Sequence, residues 1–225
     1  MIDLHCHILP GIDDGALDLE DSVAMARQGA GDGIALICAT PHIRHDHDVR
    51  ILELEWRVEK VNAELRRLAI PTHVASGGEV AETILDRVDD DELARVSLGG
   101  GSHWILLEPA PGPLSDSLIA AVEQLERRGF RSVIAHPERH IGADLEERLA
   151  WLIERGALVQ ATAAYLLAED TAAAMLALAR RGLIHVLATD AHSSRVGRPL
   201  LLSAAIAELQ SVDALAPHIE WGNQR

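Results

Sequence analysis

Residues 114–136 read LSDSLIAAVEQLERRGFRSVIAH, and this stretch contains one complete turn of the pattern that decides the fold. A segment of helical period runs from Leu114 to Arg128 and closes with two cations and a glycine, Arg127-Arg128-Gly129. Cations oppose the negative end of the helix dipole, and glycine accepts the left-handed residue that ends a helix. The short apolar run Arg131–Ala135 follows at once, as a strand would, and a histidine stands at its end.

The same unit recurs in both directions. Strands are predicted near Ile2–Leu4, Ile34–Ala39, Thr72–Gly77, Trp104–Leu107, Leu158–Gln160 and Leu183–Ala188, besides Arg131–Ala135. Between them lie predicted helices Leu19–Gly29, Ile51–Leu68, Leu114–Arg128, Leu145–Glu154, Thr171–Arg181 and Leu200–Gln210. Alternating strand and helix signals mean βα units and a parallel sheet. About thirty residues per unit over 225 residues predicts one α/β domain spanning 1–225, a TIM-barrel-like closed barrel of about seven units. The alternative, an open doubly wound sheet, would carry a glycine-rich phosphate loop after its first strand, and none is present.

Polar residues of ligand type fall at the strand ends. His5 and His7 close the first strand, His42 follows the second, Glu79 closes the third, Glu108 the fourth, His136 the fifth, and Asp190 with His192 the seventh. Only the sixth, ending near Gln160, offers no obvious ligand. In a parallel barrel these ends share one face, so residues remote in sequence converge there. The period of two in His5-x-His7 and Asp190-x-His192 aims both members of each pair to one side and turns Cys6 and Ala191 away.

Several carboxylates, Asp14 included, cannot stay ionised together in a buried site without cations. Imidazole and carboxylate donors without thiolate suit Mn²⁺, Fe or Zn²⁺, and the donor count calls for two or three ions, Mn²⁺ foremost. Arg139 and Arg198 lie in loops on the same predicted face, and a guanidinium fork matches phosphate oxygens. A phosphate monoester is therefore the expected substrate.

The formal net charge of −15 and the absence of a basic run argue against nucleic acid. The N-terminus has no leader pattern and no run is apolar enough for a span, which predicts a cytoplasmic protein. The acidic segments Asp18–Asp21 and Asp89–Glu92 read as solvated helix ends and loops without function. His73, His103, His140, His185 and His218 read as structural or exposed, with His103 and His140 nearest the site loops, and His45 and His47 as exposed loop residues with general acid as the alternative role.

With these motifs assembled, the sequence resembles the PHP (polymerase and histidinol phosphatase) superfamily, and within it the bacterial tyrosine-protein phosphatases of capsular and exopolysaccharide clusters. The resemblance is carried by Ile2–Gly15, Ala39–His42, Gly78–Val80, Leu107–Glu108, Ile134–Arg139 and Ala188–His192. It implies a distorted seven-unit barrel and three ions: one held by His5, His7, Glu79 and Asp190, a second by Glu79, Glu108 and His136, and a third by Asp14, His42 and His192. Arg139 and Arg198 match the phosphate-holding arginines, and Arg44 loosely matches a basic substrate loop. The implied substrate is phosphotyrosine on a bacterial tyrosine kinase that governs polysaccharide synthesis. Contact with a membrane would then be indirect, through the kinase, and oligomerisation stays open. Two other readings compete: a phosphoesterase for a small monoester such as histidinol phosphate, and a metal-dependent binding module without turnover.

Overall fold

In the computed structural model, which describes residues 1–140, 142–198 and 200–211, the chain alternates short strands with helices from its first residues on. The first half holds β1 (Ile2–Cys6), α1 (Leu19–Gly31), β2 (Leu36–Ala39), β3 (His42–Ile43), α2 (Leu54–Arg67), β4 (His73–Ala75), β5 (Glu79–Ala81), α3 (Asp90–Val96) and β6 (Trp104–Glu108). The second half continues with α4 (Asp116–Arg127), β7 (Arg131–Ile134), α5 (Leu145–Glu154), β8 (Leu158–Thr162), α6 (Ala163–Leu167), α7 (Ala172–Arg180), β9 (Val186–Ala188) and α8 (Leu202–Ser211). His218 lies outside the described residues.

Strand pairing is parallel throughout the described residues, in the orders β1-β2-β4 and β3-β5-β6-β7-β8-β9. The sheet curls until its first and last strands meet. A parallel bridge joins Cys6 to Ala191, Asp190 N–H donates to His5 O at 2.8 Å, and His7 N–H donates to Ala191 O at 2.8 Å. Below this seam the buried Asp3 carboxylate accepts from the Thr189 amide at 2.9 Å and from its hydroxyl. Burial raises the Asp3 carboxyl to about 6, against the pull of these hydrogen bonds. Helices cover the outer face of the strands, so Ile37, Val74, Ile105, Leu107, Ile134 and Val159 are excluded from water, as the near-continuous apolar runs of a parallel sheet require.

The second and third strands, expected to end at Ala39 and Gly77, each resume after a break. The chain passes from β2 to β3 across Thr40-Pro41, and from β4 to β5 across Ser76-Gly77-Gly78. Proline has no N–H for a ladder. At the second break no side chain fits: a Cβ on Gly77 would stand 2.7 Å from Cys38 Sγ, and one on Gly78 would stand 2.9 Å from both Ile43 Cγ1 and Val96 Cβ. The breaks shift pairing so that His42 lies directly beside Glu79.

The helix α3 was not expected. Asp89 caps it, accepting from Glu92 N–H at 2.8 Å while the Glu92 carboxylate takes the Asp89 N–H at 3.1 Å, so the acidic run forms a capping box. The run at Asp18 differs. Asp18 is the N-cap of α1, but Asp21 is fully buried, which corrects the expectation of a solvated segment. Among the described residues no helix is long and apolar enough to cross a membrane.

Candidate active site

The strand ends and the loops after them bring His5, His7, Glu79 and Asp190 into one buried group. His5 Nε2 lies 3.2 Å from His7 Nε2, 3.3 Å from Glu79 Oε2 and 3.4 Å from Asp190 Oδ1. His7 Nε2 lies 3.4 Å from the same glutamate oxygen and 3.6 Å from the same aspartate oxygen. Donors held at about 2.1 Å around a tetrahedral cation stand about 3.4 Å apart, so these separations are those of ligand atoms around a shared centre.

Beside this group His42 Nδ1 lies 2.9 Å from Glu79 Oε2 and 3.6 Å from Glu108 Oε2. Its Nε2 lies 3.4 Å from Asp14 Oδ1, and His192 Nε2 reaches the same oxygen at 3.5 Å. Three sets therefore have donor atoms within 4.8 Å of one another: His5, His7 and Asp190; His42, Glu79 and Glu108; and His7, Asp14, His42 and His192. His136 is placed differently from the rest. Its Nε2 shares a 2.7 Å hydrogen bond with Glu79 Oε1.

Short distances here do not mean satisfied atoms. His42 Nδ1, Glu79 Oε2, Glu108 Oε2, His136 Nδ1 and Asp190 Oδ1 are buried without a hydrogen-bond partner, although several lie within 3.6 Å of an opposite group. His42, Glu79, Glu108 and Asp190 all belong to the sets whose donor atoms lie within 4.8 Å of one another. An orphaned buried acceptor costs roughly 1–3 kcal/mol, more when charged, and divalent cations are the partners that mixed imidazole and carboxylate donors fit.

The electrostatics point the same way. Burial opposes charge on His7, yet hydrogen bonds to Asp13, Asp190 and Glu79 lift the imidazole well above its ordinary value. Burial likewise opposes charge on His42, but Glu108 and Glu79 raise it to about 9. Asp190 is held far below the usual carboxylate range: burial pushes it up, and His5, His7 and Arg139 more than reverse that. His192 is lowered to about 4 by burial and by the charge of His7. The carboxylates demand positive charge at this place, and the imidazoles compete to supply it.

Two backbone outliers lie in the cluster. His136 and Asp190 adopt the left-handed conformation, with φ of 32° and 48°. Each costs about 1–3 kcal/mol for a residue with a side chain and persists where surrounding structure over-determines it.

Arg139 and Arg198 both reach Asp190. Arg139 donates through a terminal nitrogen to Oδ2, and Arg198 lies 2.7 Å from that oxygen while its Nε donates to the Asp190 carbonyl at 3.0 Å. Arg44 turns elsewhere, to Glu108 Oε1 at 2.9 Å and as a fork to Asp46 at 2.7 and 3.0 Å. His45 is exposed, whereas His47 stacks on His42 with ring centroids 5.2 Å apart. His140 is buried beside His136, with Nδ1 2.8 Å from Gly112 O. His103 is exposed just before β6, at the far end of that strand, so the expectation that it lies near the site loops is corrected.

Sequence reasoning missed the residues that aim the ligand candidates. Asp13 is one of them: its Oδ2 accepts from His7 Nδ1 at 2.9 Å and from the His42 amide at 3.1 Å. These contacts hold its carboxyl at about 2, although burial acts against them. Gly15 lets that loop close, since a Cβ there would meet His7 O at 2.1 Å. The sixth strand, with no obvious ligand of its own, supplies Gln160, whose Oε1 bonds His5 Nδ1 at 2.9 Å and fixes which ring nitrogen faces the group. A polar residue at the sixth strand end was the available signal for Gln160.

Comparison with known proteins adds independent findings. The family model described as capsular polysaccharide synthesis, CpsB/CapC, matches residues 1–215. The tyrosine-protein phosphatase YwqE of Bacillus subtilis is 36% identical over 203 residues, covering 86% of this chain and 78% of that protein. The tyrosine-protein phosphatase CpsB of Streptococcus agalactiae is 26% identical over 216 residues, 91% of this chain and 88% of its own length. A solved structure from the pair YwqE of Bacillus subtilis and CpsB of Streptococcus pneumoniae, described as metal-dependent tyrosine phosphatases, aligns with a TM-score of 0.81 at 32% identity. That alignment covers 94% of this chain and 87% of the other.

Proposed function

This chain belongs to the capsular polysaccharide synthesis family CpsB/CapC, and from that premise we propose that it is a metal-dependent protein-tyrosine phosphatase acting through the bowl around Glu79. One observation carries the assignment of the site. Four buried donors, on His5, His7, Glu79 and Asp190, stand 3.2–3.6 Å apart in the pairs measured, with two guanidinium groups beside them.

By family analogy His5, His7, Glu79 and Asp190 hold one ion, Glu79, Glu108 and His136 a second, and Asp14, His42 and His192 a third. The nearness of His42 to Glu79 and Glu108 also makes it a candidate for the second. When bound, two or three divalent ions, Mn²⁺ foremost, supply Lewis acidity toward phosphoryl oxygen and acidify water enough for attack at neutral pH. Asp13 and Gln160 hold the His7 and His5 rings in the orientation that presents Nε2 inward. Arg139 and Arg198 donate to the phosphoryl oxygens and neutralise charge that grows in the transition state. The departing phenol, with an ordinary pKa of about 10, needs little help from an acid.

The closed seven-unit barrel is part of the proposal. Counting β2 with β3 and β4 with β5 as two broken strands supports a count of seven, and the Cys6–Ala191 bridge supports closure. The substrate is an autophosphorylated bacterial tyrosine kinase of the polysaccharide machinery, met in the cytoplasm. The test is elemental analysis of gently purified protein together with turnover of a phosphotyrosine peptide and of histidinol phosphate. A preference of about a hundredfold for the peptide, near 2.7 kcal/mol, is expected; preference for histidinol phosphate, or turnover without metal, overturns the reading.

A further inference from the structure

Asp21 is a carboxylate in the first turn of α1 with no contact to the ligand candidates, yet its side chain is completely buried. Oδ2 accepts from Leu17 N–H at 3.0 Å and from the Ser193 hydroxyl at 2.7 Å. Oδ1 accepts from Ser194 N–H at 3.0 Å and from the Ser194 hydroxyl at 2.5 Å. Four donors from two segments more than 170 residues apart thus converge on one side chain.

Those two segments carry Asp14 and His192. The first runs from β1 to α1, where Ala16 N–H donates to His7 O at 2.9 Å and Gly11 N–H to Ala16 O at 2.8 Å. The second leaves β9 and folds back on itself: Gly197 N–H donates to Ser193 O at 3.0 Å, and a Cβ on Gly197 would stand 2.3 Å from Ser193 N. Asp14 is 57% exposed in its side chain, with 3.4 and 3.5 Å approaches to His42 and His192. His192 is held by stacking on His7, with ring centroids 4.1 Å apart, and by Asp190 O 3.0 Å from its Nδ1, but Asp14 has little packing to set its distance from that imidazole. That distance depends on where the two backbones lie.

We propose that Asp21 is a positioning residue for the outer metal site, strapping the loop of Asp14 to the loop of His192 so that both donors face one ion. The proposal rests on the phosphatase reading, since it concerns the third ion of that site. An apolar or amide side chain cannot replace the carboxylate. All four donors are N–H or O–H groups, and an amide would turn its own N–H₂ toward one pair of them. Supporting residues of this kind typically govern about 10–100-fold in metal affinity or activity.

The experiment compares wild type with Asp21→Asn and with the double variant Ser193→Ala/Ser194→Ala, which leaves the buried carboxylate in place. Metal-stripped protein is titrated with Mn²⁺, ions per chain are counted by elemental analysis after equilibrium dialysis, and p-nitrophenyl phosphate turnover is followed at limiting and saturating Mn²⁺. Asp21→Asn should weaken the most loosely held ion about tenfold or more and lower kcat accordingly at limiting Mn²⁺, with recovery to within about threefold at saturation. The serine variant should move the same way by a smaller factor, and it decides the matter if Asp21→Asn does not fold. Titration curves superimposing on wild type, or a kcat loss that saturating Mn²⁺ leaves in place, overturn the strap. Wild-type protein that takes up no Mn²⁺ and turns over no aryl phosphate overturns the phosphatase reading instead.

Discussion

The two halves of the bowl are built on different principles. The inner half, His5, His7, Glu79 and Asp190, rides on strand segments and their immediate ends, is shut off from solvent, and is aimed by buried partners, Asp13 and Gln160. The outer half depends more on loops: His42 stands on β3, but Asp14 is more than half exposed on a loop, and its nearest imidazoles, His42 and His192, stand at 3.4 and 3.5 Å. Strand pairing sets the first geometry in advance, whereas the second has to be held by contacts between loops. The difference teaches that one site can contain a part fixed by strand pairing and a part that contacts between loops must hold.

The largest expected effect tests the bowl as a whole. Exhaustive chelation, verified by elemental analysis, should lower p-nitrophenyl phosphate hydrolysis by about 10³-fold or more, with recovery on adding Mn²⁺. Next, Glu79→Gln, which changes a carboxylate facing His5, His7, His42 and His136, should cost about 10³-fold and stay inactive at any Mn²⁺ concentration. Asp14→Asn should cost about 10–100-fold and recover with excess Mn²⁺. Equal losses with equal rescue would erase the distinction between the halves. Arg139→Ala and Arg198→Ala, which remove side chains that reach Asp190, should each lower kcat/KM by about a hundredfold, against less than about tenfold for Arg44→Ala, where the guanidinium lost is tied to Asp46 and Glu108 instead.

The smallest effect isolates strain. Besides His136 and Asp190, Ala69 has a positive φ, 52°, but it sits exposed past the end of α2. Ala69→Gly should raise the thermal midpoint by about 2–4 °C and leave turnover unchanged, since relief there is worth about 1 kcal/mol. A midpoint that does not rise would remove the energetic argument for strain at the two inner residues as well.

Much of the inner half was readable because a strand imposes a period of two: His5 and His7 had to share a side, and Cys6 had to leave it. The order of strands and helices followed from apolar runs and from helix ends such as Arg127-Arg128-Gly129. What stayed hidden depends on tertiary detail. Nothing local distinguishes Asp13, which holds two ligand candidates in place, from its neighbour Asp14, which faces them. Asp21 was lost in an acidic run because three of its four donors come from the other end of the chain. Gln160 was passed over because an amide is a poor metal ligand, although it is a good acceptor for an imidazole N–H. The breaks at Pro41 and Gly77-Gly78 looked like strand ends, and only the packing reveals that each one restarts a strand beside its partner.

Cys6, the last residue of β1, stands between His5 and His7 with its side chain fully buried, and burial, then the charges of Asp3 and Asp190, push its thiol well above the ordinary range. Burial raises Cys38 to about 12. Phosphatases that rely on a thiolate fall silent when peroxide oxidises it, and cells exploit that to prolong phosphorylation. Neither thiol of this chain is placed to act as such a switch. Erasure of the tyrosine mark would not be turned off through sulfur, and its control would pass to whatever sets the local supply of divalent ions.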